Sequence, residues 1–527
     1  MSKTIIYNDN ARAALKRGVD KLANAVKVTL GPKGKAVVFE RGTPIFSLDG
    51  VTVAREIQLK DQAENMGARL VMDVARKTDK EAGDGTTTAT ILAQSILSQG
   101  IKALSAGIDH TKMKKGMEEA LGIAKKTIKD LSIEVSTKQE ISDIATISSR
   151  DREVGDLIAE IIDNIGKEGV IAVEEGKLVG LYSEIVEGMK LEKGYISPYF
   201  ITNAERGETV LENPYVLVTS QIISSNQDVM RFLEAVFQSD NRSLFVVADT
   251  VKGEALASLV MNKARGIMAI AAVACPGIGD EKREQLKDIA ALTGAKFISE
   301  EMGQKVEDVD LEDLGQATRI IINKDNTIII DGKGKKEDID SRAAQIKKDI
   351  ELERSEYERE RKEERLARLK GGVAVIKVGS VSEAENMERR YRIEDAVKAA
   401  KSSLDEGIVP GGGMALVECS KAVQERLSSE TDLSFRVGME IIAESIIDPA
   451  RQILLNAGHK PDVVLSKCEG QGFNSATGEY VDLIKAGVID PAKVVRCALE
   501  NAVSVVSMFL IAEAVIINEV EKEKKND

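Results

Sequence analysis

Near residue 165 the apolar pattern of this chain changes period, and that change constrains the fold more than any other feature. Before it, apolar residues recur at helical spacing. Leu15, Val19, Leu22, Ala25 and Val26 fall on one face of residues 11–29, and the pattern is helical almost throughout from about 65 to 133. Gly31-Pro32-Lys33-Gly34 must end the first helix, because proline cannot continue it and glycine permits a turn. Residues 36–39 and 45–48 read as a strand pair closed by Asp49-Gly50. After the change come short β-type runs at 170–173, 215–218, 244–247 and 269–273, separated by helical stretches at 228–237, 253–264 and 281–292. That alternation predicts an α/β domain. Residues 338–370 predict one long charged helix with Ile346, Ile350, Tyr357, Leu366 and Leu369 as a sparse apolar stripe, packed on one side only. A strand at 373–378 follows, then mostly helix to the end. The α/β segment thus reads as an insertion into a helical domain built from both ends of the chain.

The chemistry concentrates at Glu81-Ala82-Gly83-Asp84-Gly85-Thr86-Thr87-Thr88-Ala89-Thr90. A Gly-Asp-Gly turn carrying one carboxylate runs into four threonines, and Ile91, Leu92, Ile96 and Leu97 then continue as a helix. Backbone N–H groups at such a turn and helix start can cradle a phosphate. Asp84 suits the Mg²⁺ that travels with phosphates, since that ion takes one or two carboxylates plus phosphate oxygens. The same residues would also serve as an ordinary helix N-cap. Thr29-Leu30-Gly31-Pro32-Lys33-Gly34 is a second glycine turn, which alone reads as structural. Val409 to Leu416 looks like a dinucleotide loop, but Leu416 stands where the third glycine of G-x-G-x-x-G is required. No convincing ribose acid follows, which excludes the Rossmann reading, and the G-x-x-x-x-G-K-[ST] pattern is absent.

Composition narrows the function classes. A chain of 527 residues is too long for one core and implies about three or four domains. With 3% aromatics, no Trp and a net charge of −13, it lacks both the stacking platforms and the basic balance of a general nucleic-acid binder. Cys275, Cys419, Cys468 and Cys497 form no C-x-x-C pair, and His110 and His459 add too few ligands for zinc. Reduced thiols in a cytoplasmic protein are expected. Met1-Ser2-Lys3-Thr4 starts no signal peptide, and the apolar stretch 505–517 contains Glu513, so it predicts a buried helix rather than a membrane span. The charged tail 519–527 predicts disorder.

Taken together the motifs closely resemble the group I chaperonins, the 60 kDa GroEL-type family, over nearly the whole chain. Residues 29–32, Asp49-Gly50-Val51, residues 83–90, Tyr195-Ile196-Ser197-Pro198-Tyr199-Phe200, residues 374–379, Glu394-Asp395-Ala396, Gly411-Gly412-Gly413 and Asp490-Pro491 match in order. The resemblance implies a multidomain α and α/β chaperonin fold. The helical equatorial domain would take 1–133 and 405–527, a hinge-like intermediate domain 134–186 and 373–404, and an α/β apical domain 187–372. It also implies an ATP-driven chaperone for unfolded or misfolded proteins, assembled as seven-subunit rings, usually stacked in pairs, and closed by a co-chaperonin lid. ATP and Mg²⁺ would be the cofactors, with K⁺ left open, and neither nucleic acid nor membrane would be a partner.

Carried over residue by residue, Thr29, Leu30, Gly31 and Pro32 with Asp84, Gly85, Thr86, Thr87 and Thr88 would cradle the phosphates, Asp84 holding Mg²⁺. Gly412 and Asp490 would meet the ribose, and Asn474, Ser475 and Ala476 would border the adenine. Asp395, in an expected helix over 391–403, would orient water for attack on the γ-phosphate, with Asp49 as the second catalytic candidate. Tyr195, Tyr199, Phe200, Met230, Leu233, Leu256, Val260 and Met261 would form the apolar client-binding surface, unless they are core. Leu256 and Val260, four apart, share one helix face. The chain also departs from the family pattern. Leu48 replaces the common Lys before Asp49, removing a cation near the γ-phosphate. Lys460 replaces a Glu beside Arg451, which could turn an attractive contact between rings into a repulsive one. The tail lacks Gly-Gly-Met repeats, and Ser475 and Pro410 are mild changes. Leu48 and Lys460 keep open a paralogue that binds clients without efficient turnover, whereas no residues suggest a small-molecule metabolic enzyme.

Overall fold

The computed structural model describes residues 3–518 apart from 42, 168, 177–178, 205, 278, 354, 371, 381 and 469. The described chain forms two compact units. The first draws on Met1–Glu160, Glu175–Leu181 and Val378–Asp527, and the second on Ile161–Glu174 and Tyr182–Lys377.

The first unit is mainly helical. Helix Asn8–Val26 buries Leu15, Val19, Leu22 and Val26, the face its spacing predicts, and packs on helix Gln62–Ala82. Glycines set the closeness of that contact: a Cβ on Gly18 would lie 1.7 Å from the Glu64 carbonyl oxygen, and one on Gly67 2.0 Å from that of Leu15. Helices Thr86–Ser105, His110–Leu131, Leu433–Ser445 and Ala492–Leu510 complete the core around Leu92, Ile96, Met117, Ile442 and Leu499. The two ends of the unit meet in an antiparallel strand pair, Lys3–Tyr7 with Ala514–Asn518. The expectation of a helix over 505–517 is therefore corrected. Helix Ala492–Leu510 stops, and the β-branched run Val515, Ile516, Ile517 pairs with the first strand. The Glu513 carbonyl accepts from the Asn8 N–H at 2.8 Å, and its carboxylate pairs with Arg12 at 2.6 Å. Among the described residues no helix is long and apolar enough to cross a membrane. The tail 519–527 lies outside the described residues.

The second unit is α/β. Its main sheet runs in the order Ala269–Ala274, Ser243–Ala248, Tyr215–Thr219, Gly315–Ile322, Thr327–Gly332, Gly188–Leu191. The first three strands are parallel and the rest antiparallel. All six residues of Ser243–Ala248 are buried, the mark of a parallel strand covered on both faces. Helices Asn226–Gln238, Gly253–Ala264 and Asp280–Thr293 are the three the pattern predicts.

The single helix expected over 338–370 is instead two, Lys336–Leu352 and Glu356–Lys370, with Glu353 extended between them. The break accompanies an electrostatic contact. Arg342 and Arg365 both reach the buried Asp288 carboxylate, at 2.6 and 2.8 Å. On one straight helix those arginines would sit roughly 35 Å apart, at about 1.5 Å of rise per residue, so the chain must fold back to bring both to one acid.

Candidate functional site

Every residue assigned by sequence to nucleotide, metal or catalysis lines one cavity of the first unit, of about 580 Å³. The floor is the Gly-Asp-Gly-Thr turn. Helix Gln62–Ala82 ends on Gly83 at φ 75°, and helix Thr86–Ser105 starts after Gly85 at φ 84°. Both angles lie in the left-handed region, which glycine enters without a Cβ penalty. Gly85 provides no side-chain cap, so the first-turn N–H groups of the threonine helix have no capping side chain. Thr86 and Thr87 are buried, and Thr29 Oγ1 lies 3.5 Å from Thr87 Oγ1, which joins the Thr29–Pro32 turn to the threonines. The Asn456 amide donates to the Lys27 and Leu30 carbonyls at 3.0 and 2.9 Å and fixes that turn from behind.

Four carboxylates face this cavity. Asp84 accepts from the Gly85 N–H at 2.5 Å and from the Ser148 hydroxyl at 3.2 Å. Asp49 caps helix Gly50–Glu56, accepting from the Val51 and Thr52 N–H groups at 3.2 and 2.8 Å. Asp490 accepts from the N–H groups of Gly412 and Gly413, at the start of helix Met414–Leu427. The pairing of strands Ile408–Pro410 and Ile489–Pro491 holds it there. Asp395 projects from helix Glu383–Glu406, longer at both ends than expected. That helix is fixed to the end of helix Gln62–Ala82 by Lys398 on Asp79 at 2.9 Å and by Ser402 on the Ala82 carbonyl at 2.7 Å.

The four acids repel one another. Burial pushes the Asp395 carboxyl well above the usual carboxylate range, and Asp49 pushes it further. Burial and then Asp84 raise Asp490 to about 7, and burial with Asp49 nearby also raises Asp84. A cation should relieve this excess of negative charge. Among the described residues no three His, Cys, Asp or Glu side chains form a protein cage for a metal. Mg²⁺ needs none, because it commonly keeps waters and phosphate oxygens beside one or two carboxylates. Asp84, a desolvated carboxylate beside an anion cradle, fits that ion.

Sequence reasoning missed part of the wall. Thr146, Ser148, Arg150 and Arg392 also line the cavity, and Ser148 and Arg150 touch the assigned residues directly. Their signal in sequence is slight: Ser148 sits in an unremarkable helix end, and Arg150 follows it at φ 59°. Elsewhere in the wall Asn474 ends a strand of a short hairpin and Ser475 and Ala476 begin its turn, with the Asn474 Oδ1 accepting the Ala476 N–H at 3.0 Å. Phe473, Pro449 and Ile453 add an apolar surface there, Phe473 standing edge-on to Tyr480 and His459. Leu48 lines the cavity, as its place before Asp49 requires.

The eight residues assigned to client binding lie in the second unit and divide three ways. Tyr199, Met230 and Met261 are exposed by 72%, 66% and 48%. Tyr195, Leu233, Leu256 and Val260 are half-buried against the core. Phe200 is corrected: it is fully buried, because the turn Pro198–Phe200 points its last ring inward while Tyr199 points out. All four cysteines are free and buried, and burial pushes the Cys275 and Cys419 thiols up to about 12. Arg451 pairs with Asp448 at 3.0 Å and Asp462 at 3.3 Å, while Lys460 is exposed.

Comparison with known proteins agrees with this architecture. Residues 22–520 match the model of the TCP-1/cpn60 chaperonin family. Among solved structures, the chain is similar to the chaperonin gp146 from the bacteriophage EL 2 (Pseudomonas aeruginosa), crystallised in the presence of ATP-BeFx. The two share 23% identity and a TM-score of 0.70 over 98% of this chain and 99% of that one.

Proposed function

The chain belongs to the TCP-1/cpn60 chaperonin family, and from that premise we propose that it is an ATP-hydrolysing chaperone of the group I, GroEL-type branch. The observation that carries this reading is the single cavity in which the Thr29 turn, the Asp84–Thr88 cradle and Asp395 converge. Phosphates rest on the glycine turns and threonine hydroxyls, with Asp84 holding Mg²⁺. When bound, that ion neutralises phosphate charge and orients the triphosphate. Asp395 positions the attacking water, and its raised proton affinity suits a group that takes up a proton during the attack. Asp490 and Gly412 meet the ribose, and the Asn474–Ala476 turn with Phe473 borders the base. Asp49, already engaged as a helix cap, acts through its charge on Asp395 and Asp84.

In this reading residues 1–133 and 405–527 are equatorial, 134–186 and 373–404 intermediate, and 187–372 apical. Exposed Tyr199, Met230 and Met261, with the edges of Leu233, Leu256 and Val260, hold non-native chains through non-directional apolar contact. Methionine adapts to varied partners. Seven-subunit rings, closed by a co-chaperonin lid in the cytoplasm, complete the proposal, with K⁺ as an optional second cation. Ring stacking would have to accommodate Lys460, which brings a positive charge beside Arg451, whose guanidinium is already paired within its own chain.

The test is Mg²⁺-dependent ATP hydrolysis by the parent and by Asp395→Ala, with nucleotide binding measured in both. Turnover lost in the variant while binding persists supports the machine and the role of Asp395. Equal rates reject that role. Binding without turnover in either protein favours a paralogue that holds clients only, the reading that Leu48 invites.

A further inference from the structure

A triphosphate brings several negative charges into a cavity that already holds four carboxylates, so cations in the wall decide whether it binds. Leu48 supplies none. Among the described residues the cations lining the cavity are Arg150 and Arg392. Arg392 is occupied: it pairs with Glu388 at 2.8 Å and donates to the Ser149 carbonyl at 3.1 Å. Arg150 has no carboxylate at ion-pair distance among the described residues. Its Nη2 donates to the Thr29 carbonyl at 2.8 Å, which sets the guanidinium against the first phosphate turn. Guanidinium carries five N–H donors in a planar fork suited to phosphate. This contact engages one of them, leaving others for a ligand. The residue also holds a left-handed backbone at φ 59°, uncommon for arginine, at the end of helix Lys138–Ser149. That left-handed helix end places the cation in the cavity wall, beside the Thr29 turn. Burial and the like charge of Arg392 disfavour its protonated form, while the more weakly acting Glu388 and Asp84 favour it.

We propose that Arg150 is the phosphate-binding cation of this cavity, held on the Thr29 carbonyl and contributing the positive charge that Leu48 lacks. The proposal rests on the nucleotide reading above and adds a residue to it. Its ligand chemistry is the terminal phosphates of a nucleoside di- or triphosphate rather than the base or sugar.

The experiment compares adenosine, AMP, ADP and ATP binding, with Mg²⁺ present, by calorimetry on the intact protein. The variants are Arg150→Gln, Arg150→Lys and Arg150→Gln combined with Leu48→Lys. Arg150→Gln is expected to weaken ATP on the order of ten- to a hundredfold, the size of a lost charged hydrogen bond. Adenosine affinity should stay within about twofold, because a neutral ligand feels little of the charge. Arg150→Lys should keep part of the ATP affinity, and Leu48→Lys should restore most of what Arg150→Gln loses. Equal losses for adenosine and ATP would mean that Arg150 only shapes the Thr29 turn, and would overturn the proposal. So would unchanged ATP affinity in Arg150→Gln, with the nucleotide reading left standing. A parent protein that binds none of the four ligands would instead reject the nucleotide reading itself.

Discussion

The hydroxyl of Ser148 donates a 3.2 Å hydrogen bond to the carboxylate of Asp84, across 64 residues of sequence. Through it the end of helix Lys138–Ser149 orients the one carboxylate proposed to hold Mg²⁺. The other partner of Asp84 is the Gly85 N–H of its own turn, so Ser148 is the side-chain contact that reports on a distant element.

Ser148→Ala removes a donor that lowers the proton affinity of Asp84. Asp84 should then bind Mg²⁺ less well, by about tenfold, the lower end of what losing a supporting hydrogen bond around a metal ligand costs. Titrating Mg²⁺ against ATP hydrolysis checks this, and an unchanged half-saturating concentration would count against the role given to Asp84.

Gly50 packs directly under the cradle. A Cβ there would lie 2.1 Å from Thr87 Oγ1 and 3.2 Å from Val26 Cγ1. Gly50→Ala must therefore displace Thr87, at about 1–3 kcal/mol of overpacking strain. Thermal unfolding should show a modest loss of stability, and ATP affinity should fall with it. Thr87 unmoved in a crystal structure of the variant would contradict this account.

Asp490 gives a pH dependence whose sign is fixed. In the folded chain it keeps its proton up to about pH 7. In the unfolded chain an aspartate loses it near ~3.9. Between those values the folded state binds more protons, so this group's contribution to stability falls as pH rises. Asp490→Asn keeps an oxygen for the Gly412 and Gly413 N–H groups and cannot ionise. Without nucleotide, the variant should melt above the parent near pH 8, and the gap should close toward pH 4. A constant gap across that range would show that ionisation of Asp490 is not the cause. If Asp490 also meets the ribose, the variant should bind ATP less tightly.

The apical residues separate core from surface. Phe200→Ala should cost about 3–5 kcal/mol, the range for a fully buried aromatic ring, and lower the melting temperature of the second unit. Met230→Ser and Met261→Ser, at exposed positions, should leave melting nearly unchanged and reduce suppression of client aggregation in light scattering. Client protection that survives both methionine changes would remove those residues from the binding surface.

Much of the architecture was legible because its signals are local. The shift in apolar period near residue 165 separated helical from α/β sequence, and the strands at 215–218, 244–247 and 269–273 formed where β-type runs lay between helices. The helix over 338–370 failed for a reason no periodicity carries: Arg342 and Arg365 meet one buried acid, Asp288, on another element. The same holds for 505–517, where the strand after Leu510 exists because the first strand of the chain is there to pair with it.

The sequence by itself determined the glycine turns and the threonine helix start, since turn geometry and helix starts depend on neighbours a few residues away. Asp49, Asp395 and Asp490, by contrast, were assigned only through the resemblance to the chaperonins. Only the tertiary structure decided that Phe200 is core while Tyr199 is surface, that Asp49 is committed to capping a helix, and that Ser148 and Arg150 stand against the cradle. Burial, ion pairing and proton affinity are set by whatever packs on a side chain from elsewhere in the chain, and that information appears only when the chain folds.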